Sequence, residues 1–151
     1  MYDLVITSGY FDPIHIGHVE YLRRAKELGH RHLVIVNSDE QARLKKGRAF
    51  MPEDERIEII KALKYVDDAT KSIDLDGTVC ETLSVVFSLY KRAAWNTSRM
   101  AFCKGGDRFT SEIPEAEICR RFGVHLVDGL GKKIQSSSAL TGIGRQSEEL
   151  S

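Results

Sequence analysis

The chain alternates short apolar runs with segments of helical periodicity, and this alternation limits the folds that it can adopt. Predicted strands cover residues 4–7, 33–36, 100–103 and 124–127. Helical spacing or helix-start signals mark residues 19–28, 52–63, 79–90 and 114–122, with a last short helix beginning at Ser136. Wholly apolar strands are buried on both faces of a sheet. The pattern therefore predicts an α/β fold, an open parallel sheet covered by helices on both faces.

The length of the chain indicates one domain, and its charge limits the kinds of partner that it can bind. The 151 residues suit one domain, which we place at 1–145, with a frayed tail at 146–151. Because 22 Lys and Arg balance 22 Asp and Glu, no global field favours nucleic acid or an anionic membrane, so any anion site must be local. No targeting or spanning stretch stands out, and three widely spaced cysteines suggest reduced thiols. We expect a cytoplasmic location.

Polar and glycine-rich segments follow the predicted strands. They comprise residues 9–18, 37–39, 104–108 and 132–138. In open parallel sheets, ligands bind outside the carboxyl ends of the strands. We therefore expect these segments to meet at one edge of the sheet and to form the functional site.

The stretch GYFDPIHIGH, residues 9–18, carries the strongest chemical signal. Gly9 allows a tight turn after the first strand, and Gly17 allows close approach at the start of the next helix. A helix N-terminus presents free N–H groups and partial positive charge, and His15 and His18 would add directed donors there. The pattern favours a phosphate site.

Two other interpretations of the histidines stay open. They could cap the helix or fill a polar pocket, or they could bind a metal with Asp12 as the evident third ligand. Other phosphate and metal motifs are absent: there is no Walker A loop, no G-x-G-x-x-G after the first strand, and no C-x-x-C to accompany the H-x-E at His18.

The same stretch resembles the G-x-F-D-x-x-H-x-G-H opening of the cytidylyltransferase-like nucleotidyltransferases, with HIGH at residues 15–18. VNSD at 36–39, the helix start before Arg56, and KGGD at 104–107 are most similar to heptose 1-phosphate adenylyltransferases, followed by glycerol-3-phosphate cytidylyltransferases. The resemblance implies a Rossmann-like single domain. It also implies an enzyme that transfers NMP from an NTP to a phosphorylated sugar or polyol and releases pyrophosphate.

The resemblance also implies roles for individual residues. His15, His18 and Lys45 would be catalytic, and Asp12 would hold the turn. The nucleotide would be bound by the backbone of Gly9, Tyr10, Phe11 and Gly17 and by Asp107, Ser136, Ser137 and Ser138. The basic loop at 43–48 would contact the substrate phosphate through Lys46 and Arg48, together with Arg56, for which a surface salt bridge is the alternative. Mg²⁺ would be carried on the nucleotide with no metal site in the protein, and a homodimer is expected.

The donor and acceptor stay open at this stage. Cytidylyltransferases carry an arginine shortly before the serine-rich segment, where this chain has GLGKK at 129–133, so ATP is slightly preferred to CTP. A glycerol-3-phosphate-type cytidylyltransferase is the alternative enzyme. A non-catalytic nucleotide-binding module on the same fold is the alternative of another class.

Overall fold

The computed structural model describes residues 1–105 and 113–130, which contain one parallel sheet of five strands. The strands are β1 (Tyr2–Gly9), β2 (Gly29–Val36), β3 (Asp68–Lys71), β4 (Met100–Gly105) and β5 (His125–Leu130). Their order across the sheet is β3-β2-β1-β4-β5, and every neighbouring pair is parallel. The predicted Rossmann-like α/β fold is confirmed.

Helices cover both faces of this sheet. They are α1 (Ile16–Lys26), α2 (Asp39–Lys46), α3 (Glu53–Lys61), α4 (Cys80–Arg92) and α5 (Ala116–Phe122), with a 3₁₀ turn at Thr97–Arg99. Helices α4 and α5 pack with Ile6, Ile35 and Phe102 on one face. Helices α1 and α3 pack with neighbouring strand residues such as Val34 on the other face. Because consecutive strand residues point to opposite faces, the wholly apolar runs supply both cores.

The sequence prediction missed β3. Only Ala69 is buried among the four residues of this edge strand, so it contains no apolar run to detect. It follows α3 and pairs with the end of β2. The segment at 100–103, predicted as the third strand, is therefore part of the fourth.

The prediction of a basic loop at 43–48 was wrong. Helix α2 continues to Lys46, and Gly47 ends it in a left-handed conformation at φ 85°. Ser38 caps the start of the helix, because its hydroxyl oxygen accepts a hydrogen bond from the backbone N–H of Gln41. The side-chain oxygen of Gln41 in turn accepts a hydrogen bond from the backbone N–H of Ser38. Its sequence, DEQARLKK, has almost no apolar face, which explains the error.

Several predicted features lie outside the described residues. They are Asp107, the serines Ser136, Ser137 and Ser138, the short helix expected there and the tail at 146–151. Within residues 1–105 and 113–130, no helix combines the length and apolar character needed to cross a membrane.

Candidate active site

His15 and His18 form the first turn of α1, immediately after β1 and its loop. His15 is the N-cap residue, and its Nδ1 accepts a hydrogen bond of 3.1 Å from the backbone N–H of Gly17. The backbone N–H of His15 in turn donates to Nδ1 of His18 at 3.1 Å. The two imidazoles thus satisfy N–H groups at the helix start, as a Ser and Glu pair does in an ordinary capping box. The capping role proposed for them is confirmed.

This capping fixes the position of the ring protons. Because both Nδ1 atoms accept hydrogen bonds, a neutral ring must carry its proton on Nε2. The rings stack with centroids 3.8 Å apart, and burial lowers the pKa of His15, which favours its neutral form. Nε2 of His15 is buried and has no hydrogen-bond partner within the described parts of the chain. Each ring therefore serves the helix with Nδ1, and a neutral ring carries its N–H on Nε2.

The loop between β1 and α1 is shaped by Phe11. This residue has a positive φ of 54°, and its ring packs edge-on against His18 at 5.0 Å. A Cβ atom at Gly9 would lie 2.7 Å from the tip of the Phe11 ring, so only glycine fits beneath it. Phe11 is buried in the core, so any contact with a nucleotide would come from its backbone.

Asp12 holds this loop to the segment after α2. Its carboxylate accepts hydrogen bonds from the backbone N–H groups of Phe50 and Met51 at 2.9 and 2.7 Å. Lys46 lies 3.1 Å from the same carboxylate and also donates to the Asp12 carbonyl at 2.6 Å. Since Asp12 is fully buried and bound in this way, the expectation that it holds the turn is confirmed.

The basic segment places its three cations in different surroundings. Lys45 lines a cavity and lies 4.5 Å from the centre of the Tyr10 ring. The Lys46 side chain is 4% exposed against Asp12, and this burial lowers the pKa of Lys46. Arg48 is exposed and lies against the Phe50 ring. Lys45 is therefore the member that the structure places at the site, whereas the predicted phosphate contact of Lys46 does not fit its burial.

Arg56 has neither the exposed position of a surface salt bridge nor the substrate-phosphate contact that the sequence predicted. Its side chain is fully buried, so it is not a surface salt bridge. Its guanidinium donates to the carbonyls of Met51, Tyr10 and Asn37 at 2.7–2.8 Å and to Asp39 at 2.7 Å. These acceptors belong to the loops that follow β1 and β2 and to the segment before α3. Arg56 therefore holds these loops together through buried hydrogen bonds. In this arrangement its partners are protein groups and not substrate phosphates.

A cavity of about 470 Å³ opens beside these loops, at the carboxyl ends of the central strands. Its lining combines hydroxyl, amide, ammonium and carboxylate groups from Ser8, Tyr10, Asn37, Gln41, Leu44, Lys45, Gly77, Thr78, Val79, Lys104, Pro114 and Glu115. This volume is in the range of small-molecule sites. The predicted convergence at one sheet edge is confirmed for Tyr10, Asn37 and Lys104, whereas His15 and His18 are not among the residues that line this cavity.

Sequence reasoning missed two buried polar residues of this cavity. Gln41 donates to the carbonyls of Asp76 and Thr78 at 2.7 and 2.8 Å, while its oxygen accepts from Ser38 and Asn37. The S-x-x-Q spacing could have revealed its capping part. Glu115 accepts from the backbone N–H of Val79 at 3.1 Å. Nothing in the sequence marks Glu115, since it sits among helix-start residues where acidic side chains are ordinary.

The interpretation of the histidines as metal ligands finds no further ligands among the described residues. Across residues 1–105 and 113–130, no group of three or more His, Cys, Asp or Glu side chains is placed to hold a metal ion. Both histidine Nδ1 atoms are also occupied by backbone N–H groups. The described residues therefore give no support to a metal bound by the histidines.

Known proteins are similar to this chain in sequence and in fold. The chain is 49% identical over 65 residues to an FAD synthase of Pyrococcus horikoshii, a match covering 42% of this chain and 44% of the relative. It is 46% identical over 66 residues to the bifunctional protein HldE of Cronobacter sakazakii, covering 42% of this chain and 14% of that relative. The chain thus spans less than half the length of these two curated relatives.

A solved structure extends the similarity over most of the chain. A lipopolysaccharide core biosynthesis protein from Thermoplasma volcanium is 26% identical with a TM-score of 0.62, covering 87% of this chain and 98% of its own. The sequence profile of the cytidylyltransferase-like family matches residues 6–117, which include the whole GYFDPIHIGH stretch. The chain therefore belongs to the cytidylyltransferase-like family.

Proposed function

We propose that this chain is a nucleotidyltransferase that transfers AMP from ATP to the phosphate group of a phosphorylated sugar or polyol, releasing pyrophosphate. The observation that carries the proposal is the histidine pair at the N-terminus of α1, whose Nδ1 atoms accept backbone hydrogen bonds, so that the N–H of each neutral ring is on Nε2. The similarity to FAD synthases supports both substrates, because FAD consists of AMP joined to FMN, and FMN is a phosphate ester of a polyol chain.

The chemistry needs positioning more than acid–base catalysis. An ionised phosphate oxygen of the acceptor attacks the α-phosphorus of the nucleotide, a new P–O bond forms, and the bond to the β-phosphate breaks as pyrophosphate leaves with the electron pair. The attacking oxygen carries no proton, so no general base is required. His15 and His18 donate hydrogen bonds to phosphate oxygens as negative charge develops, and the N-terminus of α1 adds its partial charge.

The remaining groups would bind and orient the two substrates. Mg²⁺, carried on the nucleotide phosphates, would neutralise charge on the leaving pyrophosphate. Lys45 would hold the acceptor phosphate, with Arg48 further out. The backbone around Gly9 would cradle the nucleotide phosphates. Asp107 remains the proposed nucleoside contact, the three serines at 136–138 the proposed contact of the triphosphate tail, and a homodimer the proposed assembly.

A pyrophosphate-release assay tests this function. ATP, CTP, GTP and UTP, each with Mg²⁺, are crossed with FMN, heptose 1-phosphate, glycerol 3-phosphate and nicotinamide mononucleotide. We expect release with ATP and a sugar or polyol phosphate. His18→Ala is the control variant, in which turnover should fall by about 10²-fold or more, the scale of losing one oriented donor.

Other outcomes would overturn parts of the proposal. Release with CTP and glycerol 3-phosphate alone would identify the alternative cytidylyltransferase. Nucleotide binding by calorimetry without release from any pair would favour the non-catalytic binding module. Activity of His18→Ala equal to that of the wild type would remove the histidine from the mechanism.

A further inference from the structure

The cavity carries a feature that the transfer reaction does not require. Glu115 is 4% exposed, yet it lines the cavity together with Lys45 and Lys104. One oxygen of its carboxylate accepts the Val79 N–H at the start of α4. The cavity thus presents ammonium groups suited to a phosphate and, in the same space, a carboxylate that a phosphate would avoid.

The surroundings of Glu115 give it a fixed position. Val79, which it binds, follows Thr78, whose carbonyl accepts a hydrogen bond from Gln41 in α2. The amide of Gln41 is itself held by Ser38 and by the carbonyl of Asp76. Hydrogen bonds and the peptide bond between Thr78 and Val79 therefore connect Glu115 to α2, the helix that carries Lys45. Fixed polar groups in a concave site determine the orientation of a ligand.

The chemistry of a carboxylate limits what it can recognise. An ionised carboxylate only accepts hydrogen bonds, so a ligand group placed against it must donate, as hydroxyl and amino groups do. A second anionic group on the ligand would meet like charge in a site of low exposure, where repulsion is poorly screened. Placing a repulsive group against unwanted partners is one of the ways in which binding sites achieve specificity.

We infer that Glu115 sets acceptor specificity: it selects phosphorylated acceptors that present a hydroxyl or amino group away from the phosphate, and it rejects those that carry a carboxylate there. The inference rests on the proposed function and deepens it. Glu115 would act on the acceptor alone, so its removal should leave nucleotide binding unchanged.

The test uses pairs of probes that differ mainly in this group. Glycerol 3-phosphate is compared with 3-phosphoglycerate, and nicotinamide mononucleotide with nicotinic acid mononucleotide. Each is titrated by calorimetry into protein saturated with Mg²⁺ and α,β-methylene-ATP, an analogue that cannot release pyrophosphate. The proteins are the wild type, Glu115→Gln, which keeps an oxygen for the Val79 N–H, and Glu117→Gln. Glu117 is a matched control because its side chain is 68% exposed and pairs with Arg120.

In at least one pair, we expect the wild type to bind the member without the carboxylate about 10-fold or more tightly than the member that carries it. In Glu115→Gln this ratio should fall to within about 2-fold, mainly through tighter binding of the carboxylate probe, whereas Glu117→Gln should keep the wild-type ratio. The affinity for the nucleotide analogue should be the same in all three proteins. If Glu115→Gln does not fold, Glu115→Asp, which keeps the charge, should keep the discrimination.

Three results would overturn the inference: equal binding of both members of each pair by the wild type, binding of neither member, or an unchanged ratio in Glu115→Gln. A change in nucleotide affinity in that variant would also overturn it, because Glu115 would then belong to the nucleotide site. Failure of the transferase itself gives a different signature. In that case pyrophosphate is released with no donor–acceptor pair, while the discrimination that depends on Glu115 persists.

Discussion

At the scale of single residues, the histidine pair combines the observed capping role with the proposed chemical role in the same side chains. Nδ1 of each ring serves the start of α1, and Nε2 is the atom to which we assign the contact with phosphate. An alanine substitution removes both nitrogens and cannot separate these roles. Asparagine can, because it is among the best N-cap residues and has no atom at the position of Nε2.

For His15 we predict different outcomes for two substitutions. His15→Ala should lower turnover by about 10²-fold and also lower the free energy of unfolding by about 1 kcal/mol, the usual value of an N-cap. His15→Asn should lose the turnover alone. Pyrophosphate release and urea denaturation measure the two effects. Full activity of the asparagine variant would show that only the cap matters.

The two histidines and Arg56 illustrate what a sequence can predict at this scale. His15 and His18 are detectable because their motif combines a strand end, glycines and a helix start in ten positions. Arg56 is not, because a buried arginine and a surface arginine look alike on an amphipathic helix. Arg56 can be buried because its guanidinium donates hydrogen bonds to carbonyls of three loops, and those loops come together only in the folded chain.

At the scale of elements, α2 turns neighbouring lysines in different directions. Lys45 faces the cavity and Tyr10, whereas Lys46 is buried against Asp12. The 3.6-residue period separates successive side chains by about 100°, so a helix places the two on different sides. The incorrect prediction of a loop at 43–48 had placed all three cations at the site, Lys45 as catalytic and Lys46 and Arg48 as contacts of the substrate phosphate.

This separation gives a prediction for the two lysines. Lys45→Met should lower kcat/KM for the acceptor by about 10-fold or more and leave stability unchanged, because a charge near the substrate is lost. Lys46→Met should lower the free energy of unfolding by about 3 kcal/mol, since it leaves the buried Asp12 carboxylate without its cation. Acceptor kinetics and urea denaturation separate them, and exchanged phenotypes would contradict the assignment.

Arg56 is the other residue whose effect belongs to whole elements, because it joins the loops after β1 and β2 to the segment before α3. Arg56→Lys keeps the charge and loses most of the hydrogen bonds, so we expect stability to fall by about 3 kcal/mol or more. Arg121→Lys, at an exposed position, is the control and should have little effect. Equal urea midpoints for both variants would contradict this role.

The prediction of strands from the sequence succeeded where both faces of a strand are buried. The cores of β1, β2 and β4 are wholly apolar because helices cover both faces, and an apolar run is visible without any structure. The edge strand β3 has one covered residue, and α2 is largely polar, so neither contains the pattern. The position of β3 is set by pairing with β2, which is a tertiary contact. The start of α2 is set by the local Ser38 cap, whose S-x-x-Q spacing was overlooked because no apolar stripe follows it.

At the scale of the whole molecule, His32 couples the sheet to pH. It lies on β2, where its Nδ1 donates to the carbonyl of Tyr65 at 2.8 Å and its Nε2 accepts from the hydroxyl of Thr7 at 2.9 Å. The Tyr65 contact fixes the tautomer because a carbonyl can only accept. Burial lowers the pKa of His32 to about 4, and the neutral ring is part of the core.

The consequence is a stability that depends on pH over a defined window. Between about pH 6.5 and pH 4 the unfolded chain binds a proton at His32 that the folded chain does not, so the free energy of unfolding should fall as pH falls. The loss should approach about 3 kcal/mol at the acid end. His32→Gln should flatten this slope, and His30→Gln, at an exposed position on the same strand, should keep it. Urea midpoints across the range measure the difference, and identical slopes for both variants would contradict it.

The two faces of the sheet also divide the site between them. The histidines begin α1 on one face, whereas Val79 and Glu115 belong to the segments leading into α4 and α5 on the other. Substitutions around the cavity can therefore accumulate without disturbing the histidines, which is how one scaffold could diverge toward many acceptors. The same division recommends a strategy for protein engineers: a mutant library confined to residues 77–79 and 114–115 should retarget the acceptor while the reaction chemistry is inherited intact.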